Sequence, residues 1–164
     1  MYYLNVFFVL SIAGHFIENM FYTSRDSGIL YGFWTPIYGI GSVTIIYLYK
    51  LITRKKETIG IKKIVISFVM GFIVLTILEM LGGYLVERLL KITFWNYENE
   101  KFNIGKYTSL KMAFIWGLSS IGIVYIIKPI MDIINNFIPR FITEILITLF
   151  CIDSILTLAP YLIK

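Results

Sequence analysis

Four ionisable side chains of this chain sit inside long apolar stretches: His15, Glu18, Glu79 and Asp153. At the centre of a bilayer a charged group costs at least ~2.5 kcal/mol on insertion scales, so such residues turn towards a protein interior or a cavity. There they bond a neighbouring helix, hold a ligand or relay a proton. His15 and Glu18 stand three residues apart and share a helix face. Thr76, Glu79, Gly83 and Glu87 recur at helical spacing and form one stripe down a single helix. Glu87 is followed by Arg88, a charge pair suited to a helix end at the membrane interface. Arg25 is a candidate counter-ion for Glu18 or Glu79, and Trp95, Asn96 and Asn103 supply an indole and two amides in a polar segment. Carboxylates, a cation and amides near one interface suit proton transfer at a bound headgroup, with Glu18 or Glu79 as general base. His15 and Glu18 together with Glu79 are a weak ligand set for a hard metal, so no metal is expected.

The elements that must position these groups are transmembrane helices. Of 164 residues, 58% are hydrophobic and 15% charged, and the mean hydropathy is +0.79. A soluble domain carries about a quarter charged residues, and a 19 kDa chain cannot hide this much apolar surface in its interior. A soluble enzyme, a nucleic-acid-binding module and a disordered tail are excluded as main readings. The net charge of +5 fits loops held on the cytoplasmic face. Cys151, the single cysteine, permits no internal disulfide. No phosphate-cradling Gly-Lys-Ser/Thr loop and no Gly-x-Ser-x-Gly elbow occurs, so ATP binding through a P-loop and serine hydrolysis find no support.

A crossing needs about 20 mostly apolar residues. The pattern predicts an all-α, polytopic membrane helix bundle in one transmembrane domain, residues 1–164, with about five helices: 3–22, 36–51, 64–90, 110–127 and 141–162. A sixth crossing arises only if residues 28–51 re-enter the membrane. Pro36 suits the first turn of a helix, which leaves 28–35 as an apolar loop that protein must cover. Lys128-Pro129 is expected to stop the fourth helix, and 130–137 to be a short amphipathic link. No basic region precedes the first apolar run, so it reads as a retained span and not as a removable signal. The basic cluster at 54–63 leans the orientation towards an internal N-terminus. With this arrangement His15, Glu18, Glu79 and Asp153 lie roughly 4–8 Å past the midplane on the same side, and Glu18 and Glu79 are expected to share a polar pocket. Gly83 is expected to admit another backbone, and Ala113, Gly117 and Ser120 to form a packing seam on the fourth helix.

An ordered set of short motifs carries a family resemblance. Gly14 and Glu18, then 28–32 (GILYG) and 36–41 (PIYGIG), are followed by 76–79 (TILE), Glu87-Arg88, Trp95-Asn96-Tyr97, 102–105 (FNIG), Trp116-Gly117 and Pro129. Together they resemble the bacterial membrane-protein family named putative ABC transporter permease, type IV (CmpB-like), over residues 11–129. Asn96 replaces the aspartate usual in that pattern, Arg25 lies two positions early, Phe33 replaces a proline and His15 a tryptophan. The resemblance implies a multi-pass protein of the bacterial cytoplasmic membrane that transports a solute, as an ABC-type permease or a substrate-binding membrane subunit. It implies the lipid bilayer as surroundings, and an ATPase, a second membrane subunit or a second copy of the chain as partner, with no nucleic acid. The residues alone leave two alternatives open: an intramembrane lipid- or envelope-modifying enzyme using Glu18 or Glu79, and a structural or regulatory subunit. They name no cofactor.

Overall fold

The computed structural model describes residues 1–21, 29–54 and 60–162. Five long helices account for most of it: α1 (Tyr2–Phe21), α2 (Pro36–Thr53), α3 (Ile61–Leu90), α4 (Leu110–Phe137) and α5 (Arg140–Leu162). By length and composition α2, α3, α4 and α5 are each apolar enough to cross a membrane. The first helix has 20 residues, about 30 Å at 1.5 Å per residue, but Asn5, His15, Glu18 and Asn19 dilute its apolar character. Residues 29–35 are non-helical and α2 starts at Pro36, so the region around 28–51 supplies one long helix and no second crossing. Arg25 lies outside the described residues.

Lys128-Pro129 does not end α4. A proline ring inside a helix clashes with the carbonyl four residues earlier and removes one hydrogen bond. Here a π-type turn, Ile123–Ile127, immediately precedes Lys128. By widening the ladder locally, it accommodates the ring, and the helix runs on to Phe137. A second π-type turn, Gly71–Leu75, interrupts α3. Between α3 and α4 a two-stranded hairpin forms, β1 (Asn103–Ile104) with β2 (Thr108–Ser109), pairing Asn103 with Ser109 and Ile104 with Thr108. Gly105 takes φ +56° in its turn, a conformation open to glycine at little steric cost.

The chain divides into two compact units, Met1–Val43 with Met131–Lys164, and Thr44–Ile130. In the first, α1 and the start of α2 touch closely: a Cβ on Gly39 would lie 2.7 Å from Phe7 Cδ2 and nearer still to Ser11 Oγ. Gly39→Val is therefore expected to cost about 1–3 kcal/mol by overpacking, read as a lower unfolding midpoint in detergent. A polar cluster ties the beginning of α1 to the ends of α4 and α5. Tyr2 Oη donates to Asp132 Oδ1 at 2.7 Å, Asn5 Nδ2 to Asn135 Oδ1 at 2.9 Å, and Thr143 Oγ1 to Asn5 Oδ1 at 2.6 Å. In the second unit Ile45, Met70, Leu75 and Val124 form the apolar centre. The expected seam on α4 packs there. Ala113, Gly117 and Ser120 are buried, and Ser120 Oγ donates to the Ser67 carbonyl at 2.7 Å.

Each unit buries small hydroxyl side chains among its apolar ones and turns large aliphatic side chains outward. Ser11, Ser67, Ser120 and Thr143 are wholly buried, whereas Leu118, Ile126, Ile155 and Leu156 are exposed. Ser120 and Thr143 bond across to another helix, as hydroxyls do between helices associating within lipid, where aliphatic side chains face the acyl chains.

Candidate functional site

Non-helical backbone within a membrane needs internal partners, because hydrocarbon offers none. In the first unit Asp153 provides them. From α5 its Oδ1 accepts the Tyr31 N–H at 3.0 Å and the Thr157 hydroxyl at 3.1 Å. Its Oδ2 accepts the Gly32 N–H at 2.8 Å and the Trp34 indole N–H at 2.6 Å. Three of the four donors are nitrogens that can only donate, a set matched to an acceptor-only carboxylate. The aspartate is 8% exposed, and its neighbours Trp34 and Phe150 meet edge to face with centroids 5.9 Å apart.

The same loop reaches the other two sequence-predicted groups of this unit. Phe33 packs against the His15 ring, and the Thr35 hydroxyl approaches Glu18 Oε2 at a long 3.4 Å. The Thr35 N–H donates to the Ser11 carbonyl at 3.0 Å, anchoring the loop to α1. His15 Nε2 meets Asn19 Nδ2 at 3.0 Å, while its Nδ1 is buried and has no partner among the described residues. His15, Glu18 and Asp153 thus border residues 31–35 in turn.

Glu79 anchors the second unit. It lies on α3 and is 4% exposed. The segment after α3 folds back over it, so that Tyr97 Oη donates to Oε1 at 3.0 Å and Thr108 Oγ1 to Oε2 at 2.7 Å. The Trp116 indole, from α4, also interacts with this carboxylate. One helical turn further along is Gly83, where aromatic side chains and not another backbone come close. A Cβ there would lie 3.1 Å from Tyr107 and 3.2 Å from Trp95. Trp95 Nε1 in turn donates to the Tyr107 carbonyl at 3.0 Å. Glu87 ends the stripe, paired with Lys106 Nζ at 2.6 Å and accepting from Tyr107 Oη at 2.8 Å. Arg88 is exposed and is not the partner of Glu87. Outside the helix, the Glu87 carboxylate holds the Lys106 ammonium above its usual range and, by accepting from the phenol, pushes Tyr107 upward too. The Thr76 hydroxyl bonds back to the Phe72 carbonyl and takes no part in the site.

Asn96 and Asn103 shape the polar segment. Asn96 Oδ1 accepts the Glu98 N–H at 2.8 Å, a side-chain turn of the kind asparagine and aspartate both favour. Asn103 Nδ2 donates to the Glu98 carbonyl at 3.3 Å. Asn96 Nδ2 also donates to Glu98 Oε2 at 3.1 Å; an aspartate at 96 would accept the backbone bond but lose this one.

The two clasps differ in what they tolerate. Amide and indole nitrogens cannot reverse a hydrogen bond, so Asp153 is fixed in one role. Hydroxyls donate to a carboxylate and accept from a carboxylic acid, so Tyr97 and Thr108 can hold either form of Glu79 with their heavy atoms in place, while the Trp116 indole needs only the one oxygen that stays unprotonated. Among the described residues no three His, Cys, Asp or Glu side chains gather to hold a metal ion. Sequence reasoning missed Trp34 and Thr157 as partners of Asp153, and Thr108 as a partner of Glu79. Trp34 and Thr108 lie 119 and 29 positions from the acids they bond, and no local pattern signals such contacts; Thr157 lies one helical turn from Asp153, a spacing that was there to be read.

Apolar helices with inward hydroxyls and paired carboxylates define a multi-pass helical membrane protein. The family model described as Putative ABC-transporter type IV matches residues 5–158, and the chain belongs to that family. No curated protein and no solved structure matches it.

Proposed function

We propose that the chain is a membrane subunit of an ABC-type transporter, permease-like or substrate-binding, in the bacterial cytoplasmic membrane, and that Glu79 is its working carboxylate. The family match over residues 5–158 supports the transport class. The observation that carries the role of Glu79 is its clasp by two hydroxyls, Tyr97 and Thr108, both supplied by a segment folded back over α3. Moving that segment aside would uncover a carboxylate in a low-dielectric setting, and returning it would re-cover the same group in either protonation state. Asp153, bonded to fixed donors, has the structural task of holding residues 31–34 in place.

Chemistry of this kind needs an energy source that the chain does not encode, because its sequence has no phosphate-cradling loop. A partner ATPase is therefore part of the proposal. The test is affinity purification of the tagged full chain from its native membrane in mild detergent, followed by native mass spectrometry and an ATPase assay. An ATP-hydrolysing subunit is expected to co-elute. A lone chain that retains neither an ATPase nor a second membrane subunit, and binds no solute, would overturn the transport reading. Intact solute uptake together with an altered lipid or cell-wall profile in Glu79→Gln cells would replace it with the intramembrane-enzyme reading.

A further inference from the structure

We propose that the end of α3 carries a binding site for the phosphate-bearing headgroup of an anionic phospholipid. An open cleft of about 320 Å³ is lined there by Tyr84, Glu87, Arg88, Lys91 and Tyr107. Its charge is unbalanced. Arg88 and Lys91 line it with one carboxylate, Glu87, which already pairs with Lys106. The described ion pairs within 4 Å are Lys106–Glu87 and Lys111–Glu100, so Arg88 and Lys91 enter none of them. The negative end of the α3 dipole opposes an anion, but the Lys91 N–H caps the Glu87 carbonyl at 2.9 Å and two full cations outweigh a partial charge.

Geometry selects a lipid over a free anion. The 30 residues of α3 measure about 45 Å against a hydrocarbon thickness of about 30 Å, and with Lys62-Lys63 at one end and Glu87-Arg88 at the other both ends belong in the headgroup layers. Tyr84 and Arg88 stand one helical turn apart on one face, and Lys91, the left-handed residue that ends the helix, lines the same cleft. Beside them Leu81, Leu85 and Leu89 are exposed, an aliphatic rail for an acyl chain whose phosphate would lie between Arg88 and Lys91. Tyr84 is 44% exposed and stands edge to face with Tyr107 at 6.1 Å, the amphipathic kind of ring that belongs at this depth.

The test uses the full chain, delipidated in neutral detergent and titrated with phosphatidylglycerol, phosphatidylcholine or inorganic phosphate, with retention read by native mass spectrometry. Phosphatidylglycerol is expected to be retained over phosphatidylcholine, and Arg88→Gln with Lys91→Gln to weaken it by about 25-fold, since each cation near an anionic headgroup contributes roughly fivefold. A control that removes two charges elsewhere, Lys50→Gln with Lys101→Gln, is expected to leave retention unchanged. Unfolding midpoints equal to that of the parent chain establish that the variants are folded. Equal retention by the double variant and the parent overturns the site. Competition by inorganic phosphate at concentrations matching the lipid overturns the lipid assignment and leaves a simple anion site.

Discussion

Asp153→Asn is expected to lower the unfolding midpoint by about 6–12 °C, close to the effect of Asp153→Ala, although asparagine has the same shape as aspartate. Each carboxylate oxygen accepts two hydrogen bonds, Oδ1 from Tyr31 N–H and Thr157 and Oδ2 from Gly32 N–H and Trp34. Whichever way the asparagine amide is turned, its NH₂ group meets a backbone N–H that cannot accept. A buried donor left without an acceptor costs about 1–3 kcal/mol, and one such conflict with a second weakened bond gives about 3 kcal/mol. A loss of 1 kcal/mol shifts the midpoint of a chain this size by about 2–4 °C. The measurement is a thermal scan in detergent with a double-mutant cycle. Trp34→Phe removes one competing donor, so combined with Asp153→Asn it is expected to cost less than the two single changes added together. A midpoint for Asp153→Asn within about 2 °C of the parent would show that the carboxylate does not hold the loop.

The second large effect separates folding from activity. Glu79→Gln is expected to keep the fold, with a midpoint within a few degrees of the parent, and to abolish transport. Its two short hydrogen bonds come from hydroxyls, and the Trp116 indole, which can only donate, is still served by the amide oxygen that glutamine keeps. When an amide NH₂ replaces one oxygen, Tyr97 or Thr108 rotates its proton away and accepts, so both contacts survive. Glu79→Leu removes the acceptor that both hydroxyls share in an enclosed site, and at about 1–3 kcal/mol for each bond lost it is expected to unfasten the segment that carries β1 and β2. Two readings check this: the unfolding midpoint, and solute uptake by vesicles containing each variant with its partner. Equal uptake by Glu79→Gln and the parent would show that Glu79 serves the structure alone. Loss of folding in Glu79→Gln would place it with Asp153 as a structural group.

Both expectations follow from the type of donor around each acid, which sequence spacing does not reveal. The stripe Thr76–Glu79–Gly83–Glu87 was readable from its period, and Glu79, Gly83 and Glu87 do face the segment that follows α3, while Thr76 bonds its own helix. What that stripe meets was not readable. Tyr97 and Thr108 approach from 18 and 29 residues away, and Gly83 admits the rings of Trp95 and Tyr107 in place of a backbone. The hydrogen-bond partners described for Glu18 and for Glu79 each lie within that acid's own compact unit.

Hydropathy and helix period are local, additive properties, and they alone determined the helical membrane class, the five long helices, the start of α2 at Pro36 and the small-residue seam at Ala113, Gly117 and Ser120. They failed at Lys128-Pro129, where a stop signal is overridden by a π-type turn one residue upstream. The pairing of Asp153 with residues 31–34, the roof over Glu79 and the cationic cleft beyond Glu87 were decided only by tertiary structure. In lipid every polar group must find a partner inside the protein. Sequence therefore announces that such partners exist, and the fold chooses which residues they are.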